Sequence, residues 1–317
     1  MQYLKLNRLI IFIVIILPNL ILIGQTNNTI RPITLSKIYL QHTDGRYPDV
    51  FVNNNFIILH KIGGGEDELI FYTLNNFKEK NKIDLYELGF KASPFLYSTN
   101  HSIILISRIR KKDKSKYPEL VNINFKGKII KRIRLKFIPR GLIATDNLIC
   151  VFGKYKNKVL HIYDNKLRYK KSFISVNKFP LPYITWRLVL KKTGNKIFVS
   201  DVEKYKIWVI KNFKLFKEMK FRNDNNLIVN KQFGNKNKMY RNKGIHDFVV
   251  YDNKIYVSCF DHSNRKNETW YDVINLDTGE ISRTVKTKFL YYFTNYKNRI
   301  FIYHNIPQFE IFNGFLN

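Results

Sequence analysis

One short signature recurs along this 317-residue chain: an Asn-centred turn leads into a run of β-branched and aromatic residues, and a second such run ends on another Asn or Asp. The turn residues are Asn55, Asn100, Asn147, Asn195, Asn253 and Asn298, separated by 45, 47, 48, 58 and 45 residues. The fifth unit shows the pattern most fully. Phe248–Tyr251 reads as a strand, Asp252-Asn253 as a tight turn and Lys254–Ser258 as the returning strand. Trp270–Ile274 is a third strand, Asn275–Gly279 turns the chain, and Glu280–Val285 is a fourth. Asn and Asp suit such turns because they tolerate positive φ and bond locally to the backbone.

A period in the forties, built from four strands and tight turns, predicts an all-β fold: a β-propeller of four-stranded antiparallel blades. Six turns predict six blades. Asn195-Lys196-Ile197-Phe198-Val199-Ser200 nearly copies Asn253-Lys254-Ile255-Tyr256-Val257-Ser258, and Asn298-Arg299-Ile300-Phe301-Ile302-Tyr303 is a third version. The long fourth interval reads as a polar insertion around Asn223–Asn242. In the last unit the third strand, Phe309–Phe312, is followed by no fourth. An unpaired sheet edge invites aggregation, so the run Ile33–Leu40 is expected to supply the missing strand and close the ring.

The N-terminus has a different character. Lys5 and Arg8 precede an apolar stretch from Leu9 to Ile23, and small residues follow at Gly24 and Thr26. Residues 1–24 therefore read as a secretory signal peptide, or as an N-terminal anchor if it is not cleaved. Residues 25–317 are expected to form the propeller, placed outside the cytoplasm, periplasmic or secreted. Cys150 and Cys259 fall in strands of different units and are expected to be free thiols. The formal net charge of +31 allows a polyanion as partner, including peripheral contact with an anionic membrane surface. An exported protein meets little nucleic acid, so that partner is disfavoured. The lysines also accompany a general excess of Asn, Ile, Phe and Tyr.

In a propeller the loops entering the innermost strands, and those joining second to third strands, surround the upper mouth of the channel. Variable residues on a rigid scaffold are where binding sites arise. The entering loops bring Arg46 and Tyr47, Arg140, Trp186 and Arg187, and Tyr292 to that mouth. Arginine forks suit carboxylates and aromatic rings suit stacking, so these six residues are the candidate ligand-binding set. The middle loops bring His60, Arg110, Tyr155, Asp201, Glu203, Asp261, His262 and Arg265. His246 with Asp247, and Asp261 with His262, are the weak catalytic candidates, since His and Asp together can activate water through a metal. No cofactor and no firm metal set is expected. Gly63-Gly64-Gly65 lacks the Lys-Ser/Thr that completes a phosphate-binding loop.

The Asn-Lys-Ile-Tyr/Phe-Val-Ser strand, followed by an Ile-Asn strand end and a Thr-Gly-Glu or Lys-Gly-Lys turn, resembles the six-bladed propellers related to NHL repeats. It is similar to the secreted six-bladed proteins of Bacteroidota, over about residues 33 to 317. Some six-bladed relatives are calcium-dependent lactonases, but Arg46, Phe95, Arg140, Trp186 and His246 at the strand starts are poor Ca²⁺ ligands. The resemblance implies architecture and location. The expected function is a non-enzymatic binding propeller, monomeric, taking a protein, peptide or acidic saccharide at its channel mouth. The alternative is a metal-assisted hydrolase or lyase on the same scaffold.

Overall fold

The strands follow from residues that are apolar on both faces. Ile103-Ile104-Leu105-Ile106 is such a run: Ile103 and Leu105 pack towards the preceding sheet, while Ile104 and Ile106 pack towards the following one. Ile149 and Val151 separate from Cys150 and Phe152 in the same way. A strand buried on both sides loses the polar alternation of a half-exposed one, and its successive side chains belong to two different cores.

The computed structural model describes residues 46–63, 66–74, 78–90, 95–107, 118–179, 188–201, 206–220, 243–261, 268–287, 292–296, 299–304 and 310–314. Only the backbone is described for residues 46–48, 63, 66, 201, 220, 243, 261, 295, 296, 299–304 and 310–314. All fall in one compact unit, Pro32–Phe315.

Every sheet is an antiparallel meander whose strands pair in chain order. The first contains β1 (Arg46–Val52), β2 (Phe56–Gly63), β3 (Glu66–Thr73) and β4 (Glu79–Asp84). The second contains β5 (Phe95–Ser98), β6 (Ile103–Ser107), β7 (Glu119–Ile123) and β8 (Ile129–Arg134). The third contains β9 (Pro139–Ala144), β10 (Leu148–Tyr155), β11 (Lys158–Asp164) and β12 (Tyr169–Ser175). The fourth contains β13 (Leu190–Thr193), β14 (Lys196–Asp201), β15 (Lys206–Lys211) and β16 (Lys214–Lys220). The fifth contains β17 (Lys243–Tyr251), β18 (Lys254–Asp261), β19 (Glu268–Asn275) and β20 (Ile281–Thr287). The last contains β21 (Tyr292–Tyr296), β22 (Arg299–His304) and β23 (Glu310–Gly314).

Each first strand packs beside the first strand of the next sheet, and β21 packs beside β1. The sheets thus stand as blades around a central channel, with hydrophobic cores between successive blades. This is a β-propeller. The expected six four-stranded blades number five among the described residues, because the last sheet carries three strands there. Its expected fourth strand, Ile33–Leu40, and the insertion around Asn223–Asn242 lie outside the described residues. Cys150 and Cys259 are buried free thiols on blades three and five.

The repeated asparagines need a correction. In blade five Asp252 and Asn253 do form the turn, with φ of 45° and 55°. In blade one the turn is closed two residues before the repeated Asn, and in blade two one residue before it. Asn53 Oδ1 accepts from the Asn55 and Phe56 amides, each at 2.8 Å. Thr99 Oγ1 accepts from the His101 and Ser102 amides at 3.2 and 3.0 Å. The repeated Asn is left to reach the next blade. Asn100 Oδ1 accepts from the Asn54 amide at 3.3 Å, and Asn100 Nδ2 donates to Asp146 Oδ2 at 2.9 Å. Asn53 Nδ2 also donates to Ser98 Oγ and to the Thr99 carbonyl. A lattice of side-chain bonds therefore links blades one, two and three along the lower face.

The outer edges share another feature. In all five complete blades the fourth strand carries a β-bulge near its start, with Lys80, Ile130, Lys170, Phe216 or Ser282 left unopposed. A bulge twists an edge strand out of the geometry that would template a second sheet.

Close packing is sharpest at Gly153 on β10. A Cβ there would lie 2.5 Å from the Phe137 ring and 2.6 Å from the Ile138 carbonyl oxygen. The same glycine carbonyl accepts from His161 Nε2 at 2.9 Å, and His161 stacks against Phe137 at 4.3 Å. Gly153→Ala is expected to destabilise the protein by about 1–3 kcal/mol through overpacking. A thermal melt checks this; an unchanged midpoint would show that the backbone yields freely there.

Candidate functional site

The channel holds a cavity of about 370 Å³ walled by the first strands of all the sheets. Three of those strands are bulged at their upper ends. The extra residue is Arg140 in β9 and His246 in β17, and it falls at Tyr47-Pro48 in β1. An inner-strand bulge re-aims the side chain it carries. His246 turns its ring onto Tyr292 of the neighbouring blade, edge to face at 4.3 Å, and both line the cavity.

Asp247 follows the bulge and is buried. Its Oδ1 accepts from the Phe248 amide at 2.8 Å, and its Oδ2 accepts from the Phe293 amide at 2.7 Å. Lys191 Nζ on β13 lies 3.0 and 3.2 Å from the two oxygens and also donates to the Phe293 carbonyl. One carboxylate and one ammonium thus tie the inner strands of three successive blades together across the channel wall. Both Asp247 oxygens are occupied by this clamp.

Asp49 holds the equivalent place on β1, directly opposite His60 on β2. The His60 ring is fully buried between two carboxylates, with Nε2 at 2.8 Å from Asp67 Oδ1 and Nδ1 at 3.4 Å from Asp49 Oδ2. Burial alone would depress its pKa, but the bonds to Asp49 and Asp67 more than offset that and hold it above the ordinary histidine value. Both ring nitrogens face acceptors, so the imidazolium is the form that satisfies the site. Asp49 also faces the channel, which places this relay in its wall.

The lower part of the cavity is cationic and phenolic. Lys192 and Tyr97 line it from blades four and two. Burial raises the Tyr97 hydroxyl to about 12. Burial also raises the nearby Cys150 thiol to about 12, against a smaller opposing pull from Lys192. A thiol so poised is protonated at neutral pH and is a packing group.

Of the expected ligand-binding residues, Tyr292 lines the cavity. Arg140 is half-buried on β9, with its carbonyl accepting from the Leu188 amide at 2.7 Å. Arg46 and Tyr47 lie on β1 with only their backbone described. Trp186 and Arg187 lie outside the described residues. Of the catalytic candidates, His246 and Asp247 line the cavity, Asp261 ends β18 with only its backbone described, and His262 lies outside the described residues. His60 sits within β2 rather than in a loop. Among the described residues no group of three or more His, Cys, Asp or Glu side chains is arranged to hold a metal ion.

The Asp49–His60–Asp67 relay and the two channel lysines escaped the sequence reading. One signal was present: Asp49-Val50-Phe51-Val52 aligns with Asp247-Phe248-Val249-Val250, marking both acids as one repeated inner-strand position.

With blades, channel and clamp in place, the chain belongs to the class of β-propellers. No protein-family model matches it, NHL-type models included, and no curated protein matches it. Among solved structures it is similar to a DUF4221-family member from Bacteroides vulgatus, at 12% identity over 89% of this chain and 94% of that one, with a TM-score of 0.52. A protein from Bacteroides fragilis described as exported is 11% identical over 85% and 83% of the two chains, with a TM-score of 0.51. The Cps50 (Swd1) β-propeller domain of Myceliophteria thermophila is 11% identical over 90% and 100%, with a TM-score of 0.53. Likeness at such identity extends to the fold alone.

Proposed function

We propose that the chain is an exported, non-enzymatic binding propeller that takes a protein, peptide or acidic saccharide at the upper mouth of its channel. The observation that carries this is the make-up of the channel wall. Unlike residues from equivalent inner-strand positions converge there, with His246 and Tyr292 in contact and half-buried Arg140 on the bulge of β9, while Lys192 adds positive charge deeper in the channel. The acids that would serve hydrolysis are engaged in structure: Asp247 by Lys191 and two amides, Asp49 by His60. An aromatic and cationic mouth suits an anionic ligand with flat or apolar faces.

The same proposal extends to the architecture. Ile33–Leu40 adds the fourth strand to the sheet of β21–β23, which completes six blades of NHL-like type, and residues 1–24 direct export. The likeness to a Bacteroides protein described as exported supports the location.

The test is a panel of immobilised peptides and acidic oligosaccharides, read by titration calorimetry for any that bind. Tyr292→Ala combined with Arg140→Ala should weaken such a ligand about tenfold or more, as loss of a buried aromatic anchor does. Undiminished affinity would move the site away from the mouth.

A further inference from the structure

We propose that the lower outer rim of blades two to four is a docking surface for an anionic lipid bilayer. Of the five exposed large hydrophobic side chains among the described residues, three stand at or beside the outer-strand bulge: Ile130 at 57% exposure, Phe216 at 61% and Tyr169 at 56%. The bulge explains their exposure. Ile130 and Phe216 are the unopposed residues of β8 and β16, so the ladder that would fold them inward skips them. Tyr169 immediately precedes the unopposed Lys170 of β12.

Equivalent positions of successive blades lie at one height around the ring. A flat surface approaching the lower face therefore meets Ile130 and Phe216 together, with Tyr169 one residue from the equivalent place on the blade between them. The turns beside them are basic and exposed, with Lys126 and Lys128 before β8, Lys166 before β12, and Lys214 in β16. Two of the nearby acids have cationic internal partners, and exposed Asp277, which shares a groove with Phe216, accepts from Asn253 Nδ2. Asp164 takes Arg168 and Lys170, and Glu218 takes Lys206 and the Trp208 indole. The result is two apolar tips and a phenol, whose hydroxyl bonds Ser172 Oγ at 2.6 Å, set among exposed lysines.

That pairing selects the partner. Lysines alone would suit any polyanion, including an acidic glycan. Isoleucine and phenylalanine tips gain only where hydrocarbon is available, at the boundary between headgroups and acyl chains. Each juxtamembrane lysine adds attraction to anionic headgroups, and salt weakens that part. This surface is remote from the channel, so the reading stands or falls apart from the channel ligand.

Co-sedimentation of the full chain with phosphatidylcholine vesicles, with and without phosphatidylglycerol, tests it. Binding is expected only with phosphatidylglycerol. Lys126→Glu, Lys128→Glu and Lys214→Glu together should lower partition about a hundredfold or more. The charge-matched upper-rim triple Lys136→Glu, Lys154→Glu and Lys286→Glu should lower it far less. Ile130→Ser with Phe216→Ser should lower it about tenfold and leave the residual binding more salt-sensitive. These positions are exposed, so retained thermal midpoints verify that each variant folds. No phosphatidylglycerol-dependent binding, or equal loss from the two charge triples, would overturn the proposal. Binding indifferent to Ile130→Ser and Phe216→Ser would overturn it too, and would mark the rim as a site for a soluble polyanion such as an acidic glycan.

Discussion

His60→Ala is expected to lower folding stability by about 3–5 kcal/mol, the cost of removing one partner from a buried charge cluster. His60 is fully buried, and its removal leaves Asp49 and Asp67 facing each other without the cation between them. Asp67 is itself fully buried, and among the described residues its Oδ2 has no hydrogen-bond partner. Its compensation therefore rests on the imidazolium. Denaturant unfolding measures the effect, and a loss below about 1 kcal/mol would mean that the cluster is not charged.

The same site has a pH signature. The folded pKa of His60 is raised, so its stabilising contribution is complete below the ordinary value of about 6.5 and is lost as pH rises through the folded value. His161 acts in the opposite sense. Burial lowers its pKa despite the bond to the Gly153 carbonyl. It therefore favours the fold above the ordinary value, and that advantage is lost as pH falls. The thermal midpoint of the native chain should decline on the alkaline side, and His60→Gln should flatten that decline while leaving the acid limb in place.

Asp247→Ala is the second large effect, again about 3–5 kcal/mol. The substitution strands the Lys191 ammonium and removes the acceptor of the Phe293 and Phe248 amides. Because the clamp spans three blades, the damage should reach the channel wall as well as global stability. Asp247→Asn keeps an acceptor for one amide but leaves Lys191 uncompensated, so it should fall between the native chain and Asp247→Ala. Equal stability of all three proteins, with loss of a measured hydrolytic activity in the variants, would instead make Asp247 a catalytic residue.

The fold was legible because its information is periodic. Turn, strand and turn recur at a nearly constant spacing, and a run such as Ile103–Ile106 records burial on both faces. The clusters were not legible, because each joins strands through registers that the pattern does not mark. His60 meets Asp49 and Asp67 only because β1, β2 and β3 pair with one bulge in β1. Lys191 reaches a carbonyl 102 residues away. The bulges themselves are single-residue slips. Ile129-Ile130 reads as ordinary strand, and only the paired strand shows that one of the two has no opposite. His246 and Tyr292 were visible as unlike residues at comparable places, but their contact depends on blades that adjoin in space.

The asparagine lattice on the lower face bears on how such a ring can change its size. Each connector reaches from one repeat to the same place in the next: Asn54 to Asn100, and Asn100 to Asp146. The joint therefore needs only a side-chain acceptor at that place in whichever repeat follows. Excision of the second repeat would leave the Asn54 amide with Asp146 as an equivalent acceptor, whereas excision of the third would bring Asn100 to Gly194, which has no side-chain acceptor. The spacing of 46 residues between connected places is in this sense a modular unit of the first three blades, the length by which a rearrangement could shift the chain and still meet a native-like seam.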